Sequence, residues 1–293
     1  MNLSEMYSII VCSIRPDDAE RLRANIEKTI GTNIPFEFLA YDNRNTGKGI
    51  CQVYNECAAK ARYEYLCFVH EDVEFVTEDW GRIMGEKLSE ESCGVVGFAG
   101  SAMKAKTLTG WNSTKKYGVR RNFMQGRESC RTFRDNPDCL DFSQVVTLDG
   151  MCLFTTRKVW SQIRFDDVML RGFHCYDLDF TIAAVDGGYR NWVCNSVMIR
   201  HFSGGHIDSR WYQDSLKLHN KWNKVLPIYI KDRSPLKKRY YEYRSGLEWM
   251  FALDRQGIYE TAKVRYVLCY FLTHPFSAKT FRFIGRWIKH ANR

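Results

Sequence analysis

The sequence predicts an α/β protein whose mostly parallel, Rossmann-like sheet is flanked by helices and followed by a helical C-terminal extension. Short apolar runs typical of buried strands alternate with amphipathic helical segments through the first hundred residues, which is the pattern of βαβ units. Polar side chains follow the ends of these strands, where parallel sheets bind ligands. With 293 residues, 45% of them apolar, the chain can form a large core.

The elements of the first hundred residues follow from these apolar runs and from the residues that begin and end helices. Strands are predicted at Tyr7–Ile14, Phe36–Tyr41, Glu64–Val69 and Val95–Ala99. Helices are predicted at Asp17–Lys28, Ile50–Arg62 and Thr77–Leu88. Thr77 is the expected N-cap of the third helix.

The next segment, residues 101–144, breaks this alternation. It carries nine Lys/Arg against four acidic residues between Lys104 and Asp141. A long polar segment of this kind is interpreted as a functional insertion rather than as core.

Regular elements return after the insertion. A strand begins at Val145, and the polar pair Asp149–Gly150 separates it from a second strand that leads into a helix. The remaining elements are a helix at Tyr176–Asp186, a strand at Trp192–Ile199 that runs on to His201, and a helix at Ser209–Val225. Prolines near positions 227 and 235 favour a boundary, so we predict a domain at 1–230 and a helical extension at 231–293.

The net charge of +9 is concentrated in the predicted extension. Residues 232–293 contain 13 Lys/Arg and 5 Asp/Glu, a surplus of 8, which leaves +1 for residues 1–231. Cations beside an apolar stripe favour binding to an anionic membrane surface. The alternative is an ordinary helix that packs on the domain. The apolar residues concerned are Phe281, Phe283, Ile284, Trp287 and Ile288.

Cysteine usage and the chain start indicate the compartment. The eleven cysteines form no CxxC pair, and several lie in apolar strand runs, which is typical of small buried side chains in a reducing environment. The start of the sequence lacks the features of a signal peptide. We therefore expect a cytoplasmic protein that can be peripheral at the inner face of the cell membrane. No nucleic-acid-binding motif is present, so nucleic acid is not an expected partner.

Four residues could carry chemistry from their place in the pattern alone. Asp72 follows the apolar strand in "LCFVHEDVEF", where a carboxylate can bind a divalent cation, although it could instead pair with Arg15 or cap a helix. His201 ends a strand before "FSGG" and could also be a metal ligand. Asp177 and Asp179 open a helix, where either could be a general base or simply favour the helix dipole.

The order of several short motifs resembles the family-2-like glycosyltransferases of the GT-A fold. The subgroup that it resembles most is the StrF-type group, named for streptomycin biosynthesis. The matching pieces are "IIVCSIRP", "YDN", "GICQVYNECAAKA", "CFVHEDVEF", "TLDGMCLFTTRKVW", "FHCYDLDFTIAAVDGGY" and "HFSGG". Each piece is short, but their order extends over some 200 residues.

The resemblance implies a role for each matching position. It implies donor-nucleotide binding at Ser13, Arg15, Asp42, Asn55 and Asp72. It implies acceptor binding at Asp149, Gly150 and Asp179, with Asp177 as the catalytic base. Asp72 and His201 would bind the cofactor, a divalent cation such as Mn²⁺ or Mg²⁺. The sequence departs from the family in one respect, because His70 replaces the first acid of the usual DxD motif.

The expected activity is transfer of a sugar from a nucleotide-diphospho-sugar donor to a hydroxyl of a glycan or lipid-linked acceptor. The resemblance implies inversion at the anomeric carbon and a role in surface polysaccharide or glycoconjugate synthesis. The insertion at 101–144 is expected to contact the acceptor, and its basic surplus favours an acidic or phosphate-bearing one. The alternative, suggested by His70, is a non-catalytic module that binds a sugar nucleotide or glycan.

Overall fold

The computed structural model describes residues 6–111, 118–204, 208–256, 268, 271–272 and 275–291. In chain order the strands are β1 (Tyr7–Ser13), β2 (Phe36–Asp42), β3 (Tyr65–Val69), β4 (Val73–Phe75), β5 (Cys93–Gly97), β6 (Ala99–Ser101), β7 (Met103–Lys104), β8 (Val119–Gln125), β9 (Arg131–Asp135), β10 (Phe142–Val145), β11 (Thr147–Leu148), β12 (Cys152–Thr156), β13 (Arg190–Cys194), β14 (Ile199–His201) and β15 (Ile228–Tyr229). The helices are α1 (Pro16–Thr29), α2 (Ile50–Lys60), α3 (Trp80–Leu88), α4 (Arg157–Ile163), α5 (Tyr176–Asp186), α6 (Ser209–Lys221), α7 (Pro235–Gln256) and α8 (Ala278–Ala291).

The larger sheet has seven strands in the order β10-β13-β5-β12-β3-β1-β2. Strand β1 pairs in parallel with β2 and β3, and β13 pairs in parallel with β5. Strand β12 runs antiparallel between β3 and β5, and β10 is an antiparallel edge. Five of the seven strands (β1, β2, β3, β5 and β13) therefore point the same way, which confirms the prediction of an α/β fold with a mostly parallel sheet.

Both faces of this sheet are covered, which explains why its central strands are apolar without interruption. On β1, Ile9 packs into one core cluster with Trp80 of α3, while the next residue, Ile10, packs into the other. The second cluster contains Tyr54 of α2 and Phe180 of α5. Alternate side chains of a strand point to opposite faces of the sheet. If polar and apolar residues had alternated along these strands, one face of the sheet would have been exposed to solvent.

A second sheet of six strands has the order β11-β6-β8-β14-β4, with β9 paired to β8. Strand β8 lies inside this sheet, and its Val119 and Phe123 are buried. The interpretation of residues 101–144 as an insertion outside the core is thus wrong for β8. Part of that segment, residues 112–117, lies outside the described residues.

Two other predictions are corrected. The segment Trp192–Ile199 is not one strand, because β13 ends in the seven-stranded sheet and β14 begins in the six-stranded sheet. Helix α3 begins at Trp80 after Asp79, and the Thr77 hydroxyl instead accepts a hydrogen bond from the Met198 amide at 2.9 Å.

The C-terminal extension begins with a helix that packs on the body of the protein. The Glu242 carboxylate of α7 accepts hydrogen bonds from the amides of Lys106 and Thr107 at 2.8 and 2.9 Å. Trp249 is buried against Tyr212 of α6, with ring centroids 4.7 Å apart. Residues 257–267 of the extension lie outside the described residues. Among the residues that the structure describes, no helix is long and apolar enough to cross a bilayer.

Candidate active site

The second sheet brings His201 to Asp72 across more than a hundred residues of sequence. Strand β14 pairs antiparallel with β4, so that His201 lies opposite Val73, and the Phe202 amide donates to the Asp72 carbonyl at 3.0 Å. The two side chains are buried, and His201 Nε2 lies 3.4 Å from Asp72 Oδ1. This geometry is compatible with the expectation that Asp72 and His201 bind the same cation, which stays a prediction.

His70 completes a group of three side chains that could hold a metal ion. One ligand atom each from His70, Asp72 and His201 all lie within 4.8 Å of one another. Burial opposes ionisation of Asp72, but a hydrogen bond and charge from His201 outweigh it and lower the pKa of Asp72 below its usual value. Burial lowers the pKa of His70 to about 4, so its imidazole is neutral at pH 7. A carboxylate and a neutral imidazole are donors that suit Mn²⁺.

Tyr176 fixes which nitrogen of His70 carries the proton. The Tyr176 hydroxyl donates to the Gly150 carbonyl at 3.0 Å, and it lies 2.7 Å from His70 Nε2. The arrangement that satisfies both contacts has the hydroxyl donating to Gly150 and Nε2 donating to the tyrosine oxygen. In the neutral ring, Nδ1 then bears a lone pair, which is the state that a metal ligand requires. The residues present therefore fit a divalent cation.

Gly150 also connects Asp177 to the group formed by His70, Asp72 and His201. The Gly150 amide donates to Asp177 Oδ2 at 3.1 Å, while the Gly150 carbonyl holds Tyr176. A side chain at position 150 would collide with the Tyr176 hydroxyl, since an added Cβ would overlap that oxygen. Glycine therefore allows one peptide to contact both neighbours.

Two carboxylates share this side of the site. Burial, and then the neighbouring charge of Asp149, raise the pKa of Asp177 to about 7. Asp149 accepts a hydrogen bond from the Met151 amide at 3.0 Å, and burial raises the pKa of Asp149 as well. Asp177 is only half-buried, so a substrate can reach it. A carboxyl group with a pKa near 7 can take up a proton at neutral pH.

Comparison with known proteins now gives the family. Residues 8–229 match the family model described as "Glycosyltransferase like family". The chain belongs to this glycosyltransferase family. A search of curated proteins found no match.

Two solved structures that are similar to this family member in fold have TM-scores above 0.5. One is GalNAc-T7 with UDP, GalNAc and Mn²⁺, at TM-score 0.51 and 10% identity, covering 89% of this chain and 58% of that one. Another is S. aureus TarS with UDP-GlcNAc, at TM-score 0.54 and 13% identity, covering 92% and 79% of the two chains. The chain thus spans about 58% of the length of the GalNAc-T7 structure. At these identities the likeness supports the GT-A fold alone.

Glu71 is a residue of the candidate site that sequence reasoning missed. Its buried carboxylate accepts from the Ser13 hydroxyl at 2.6 Å and from the Arg15 amide at 2.9 Å. Arg15 Nε donates to the same carboxylate at 3.1 Å, and an Arg15 terminal nitrogen lies 3.6 Å from Asp72. Glu71 thus ties the end of β1 to the end of β3. The available signal was its position between His70 and Asp72.

The remaining donor-side predictions, Asp42 and Asn55, lie in different surroundings. Asp42 ends β2 beside Ser13, but it is exposed, and hydrogen bonds from Arg44 lower the pKa of Asp42 to about 2. Asn55 is tied to a loop, since its amide donates to the Phe165 carbonyl at 2.8 Å and its oxygen accepts from Trp160 Nε1 at 3.2 Å. These contacts give Asn55 a role in holding that loop.

Asp179, predicted on the acceptor side, is placed in the protein interior. It is 1% exposed, and its carboxylate accepts from Lys221 Nζ at 2.9 Å and from Trp222 Nε1 at 2.8 Å. Residues two apart on a helix face different sides, which is why Asp177 reaches the site and Asp179 binds the end of α6. The structure therefore gives Asp179 a structural contact in place of an acceptor contact.

Proposed function

We propose that the protein transfers a sugar from a nucleotide-diphospho-sugar to a hydroxyl of a glycan or lipid-linked acceptor. The observation that carries the proposal is the half-buried carboxyl of Asp177, with a pKa near 7, joined through Gly150 and Tyr176 to the group His70–Asp72–His201. This arrangement supports a base at Asp177 beside a site suited to a diphosphate-binding cation. Family membership supports the same reaction class.

In this reaction the ionised Asp177 removes the proton from the acceptor hydroxyl. The acceptor oxygen then bonds to the anomeric carbon as the bond from that carbon to the diphosphate oxygen breaks. Such a single displacement inverts the anomeric configuration. A positioned base of this kind contributes roughly 10²–10⁴-fold to the rate. The Gly150 amide keeps the carboxylate oriented through its hydrogen bond to Oδ2.

His70, Asp72 and His201 would hold a divalent cation, Mn²⁺ or Mg²⁺. When bound, such a cation offsets the negative charge that develops on the leaving diphosphate. Tyr176 acts on His70 by fixing its tautomer, and Arg15 adds positive charge near Asp72. Together these residues would stabilise the negative charge of a donor with two phosphates.

The proposal extends to the subgroup, the pathway class and the path of the acceptor. The order of the sequence motifs supports the StrF-type subgroup and a role in surface polysaccharide or glycoconjugate synthesis.

Phe173 is exposed, and its ring centroid lies 5.4 Å from that of His70, where it can contact the apolar face of a sugar. The proposed acceptor therefore approaches between Phe173 and Asp177.

A comparison of binding with turnover tests the proposal. Purified protein is screened against nucleotide-diphospho-sugars with Mn²⁺, with Mg²⁺ and with a chelator, and both the melting temperature and released nucleotide diphosphate are measured. We expect at least one donor to raise the melting temperature and to be turned over only with metal. Asp177→Asn should keep the thermal shift and lose turnover.

The same experiment distinguishes a non-catalytic binding module on this fold. Such a module would show equal thermal shifts for wild type and Asp177→Asn, and neither protein would release nucleotide diphosphate. Absence of a thermal shift with every donor would contradict both functions.

A further inference from the structure

Helix α8 presents two different faces. Thr280 and Phe283 are buried, with 0% and 4% exposure, so one face of the helix packs on the protein. On the solvent side, Phe281 and Ile288 keep 57% and 48% of their surface exposed. Helix α8 therefore packs through one face, as the alternative in the sequence analysis expected, and leaves apolar side chains exposed on another.

The exposed apolar residues lie beside a row of cations. Phe281 and Ile288 are seven residues apart, which places them almost in line along a helix with 3.6 residues per turn. Arg282 and Lys289 each follow one of them and are both exposed, so they form a second row next to the first. Helix α8 contains four Lys/Arg and no acidic residue.

More exposed apolar surface precedes the helix. Leu272 is 75% exposed and Phe276 is 95% exposed. We call these two residues together with Phe281 and Ile288 the tail patch. Several large apolar side chains exposed in one short segment indicate an interaction surface.

We propose that the tail patch and its flanking cations bind the surface of an anionic membrane. Anionic lipid satisfies both properties, because apolar side chains enter the boundary of head groups and acyl chains while Lys and Arg contact the head groups. A second copy of the chain fits less well, since both copies carry the surplus of 8 positive charges between residues 232 and 293. The proposal does not depend on the sugar-transfer reaction.

Vesicle co-sedimentation of the full chain tests this inference. Phosphatidylcholine vesicles are compared with vesicles that also contain phosphatidylglycerol, at low and high salt. We expect wild type to pellet with the anionic vesicles, to stay in solution with the neutral ones, and to lose binding as salt rises. Binding to both kinds of vesicle alike, or to neither at low salt, would overturn the proposal.

Surface substitutions separate the charge from the apolar contribution. Arg282→Gln/Lys289→Gln should reduce partition into anionic vesicles about 30-fold, from about 1 kcal/mol for each cation near the leaflet. Lys60→Gln/Lys158→Gln, which removes two exposed cations from the body, is the matched control and should change partition little.

The apolar pair Phe276→Ser/Ile288→Ser should reduce partition about tenfold or more, and Leu140→Ser, at another exposed apolar side chain, should not. Substitution is preferable to truncation because removal of α8 would uncover the face against which Phe283 is buried. Circular dichroism confirms that each variant is folded. Equal losses in variant and control would refute the assignment to the tail patch. A dimer that Phe276→Ser/Ile288→Ser disrupts, without any vesicle binding, would identify a second copy as the partner.

Discussion

Asp177→Asn should inactivate the enzyme and at the same time stabilise its fold. Burial of this carboxyl, and then the neighbouring charge of Asp149, raise the pKa of Asp177 to about 7 from an ordinary value of 3.8. Ionised Asp177 is therefore unfavourable in the folded protein. Asparagine keeps an oxygen that can accept from the Gly150 amide but carries no charge.

The sign and size of the effect follow from the two pKa values. Below pH 3.8 the carboxyl is mostly protonated in both the folded and unfolded states, so it has little effect on the free energy of unfolding. Between that value and about 7 the unfolded chain ionises first, and the free energy of unfolding of the wild type falls as pH rises. From pH 5 to pH 7 this loss is about 1.4 kcal/mol for each pH unit, or about 3 kcal/mol in all, and it is constant above pH 7.

Chemical denaturation at pH 5 and pH 8 measures this quantity directly. The difference in free energy of unfolding between Asp177→Asn and wild type should grow by about 3 kcal/mol between the two pH values. Asp186→Asn, at the exposed end of the same helix, is the control and should give the same small difference at both. A gain below about 1 kcal/mol for Asp177→Asn would refute the assigned pKa.

Kinetics provides the second half of this prediction. Because the base must be ionised, kcat/KM should fall as pH drops through about 7 in the wild type. Asp177→Asn should lower kcat by roughly 10²–10⁴-fold and leave donor binding nearly unchanged. A stabilised variant with normal kcat would show that Asp177 takes no part in the reaction. It would still agree with an ionised Asp177 that is unfavourable in the folded protein.

Four further changes test other parts of the site. Asp72→Ala should abolish Mn²⁺-dependent nucleotide binding in calorimetry while the far-ultraviolet circular dichroism stays unchanged; near-normal turnover would contradict the metal assignment. Tyr176→Phe removes the hydroxyl that fixes His70 and should weaken Mn²⁺ binding about 10–100-fold; unaltered affinity would refute the tautomer argument. Phe173→Ala should raise acceptor KM and spare donor Kd, and equal damage to both would place the acceptor elsewhere. Arg121→Ser breaks a 2.5 Å contact with Asp135 and should lower the melting temperature more than Arg134→Ser, without changing acceptor KM.

The sequence predicted those parts of the fold that depend on local pattern. Helix α5 was predicted at Tyr176–Asp186 with the observed bounds, because Gly187 and Gly188 follow it directly. Strands β1 and β3 were found from apolar runs that a sheet covered on both faces requires. In such a sheet strand ends share one edge, so the strand pattern alone was enough to place Ser13 and Asp72 at the same edge of the sheet.

The six-stranded sheet could not be predicted in the same way. Its strands are two to seven residues long and come from distant parts of the chain, and β8 lies within a segment whose charges resemble a surface loop. Arg120 and Arg121 flank its buried positions and pair with Asp138 and Asp135 at 3.0 and 2.5 Å. A count of the charges in one segment does not show which of them form ion pairs.

The pairing of these charges bears on the choice of acceptor. The basic surplus of residues 101–144 favoured an acidic acceptor, but one of its cations, Lys104, is held in the interior. Lys104 is fully buried, where its ammonium donates to the Thr109 carbonyl at 2.7 Å and lies 3.0 Å from His219 Nε2, and burial lowers the pKa of Lys104 to about 7. Lys115 and Lys116 lie outside the described residues. The acidic acceptor therefore stays a prediction, whereas the apolar surface of Phe173 beside His70 favours recognition of the acceptor sugar ring itself.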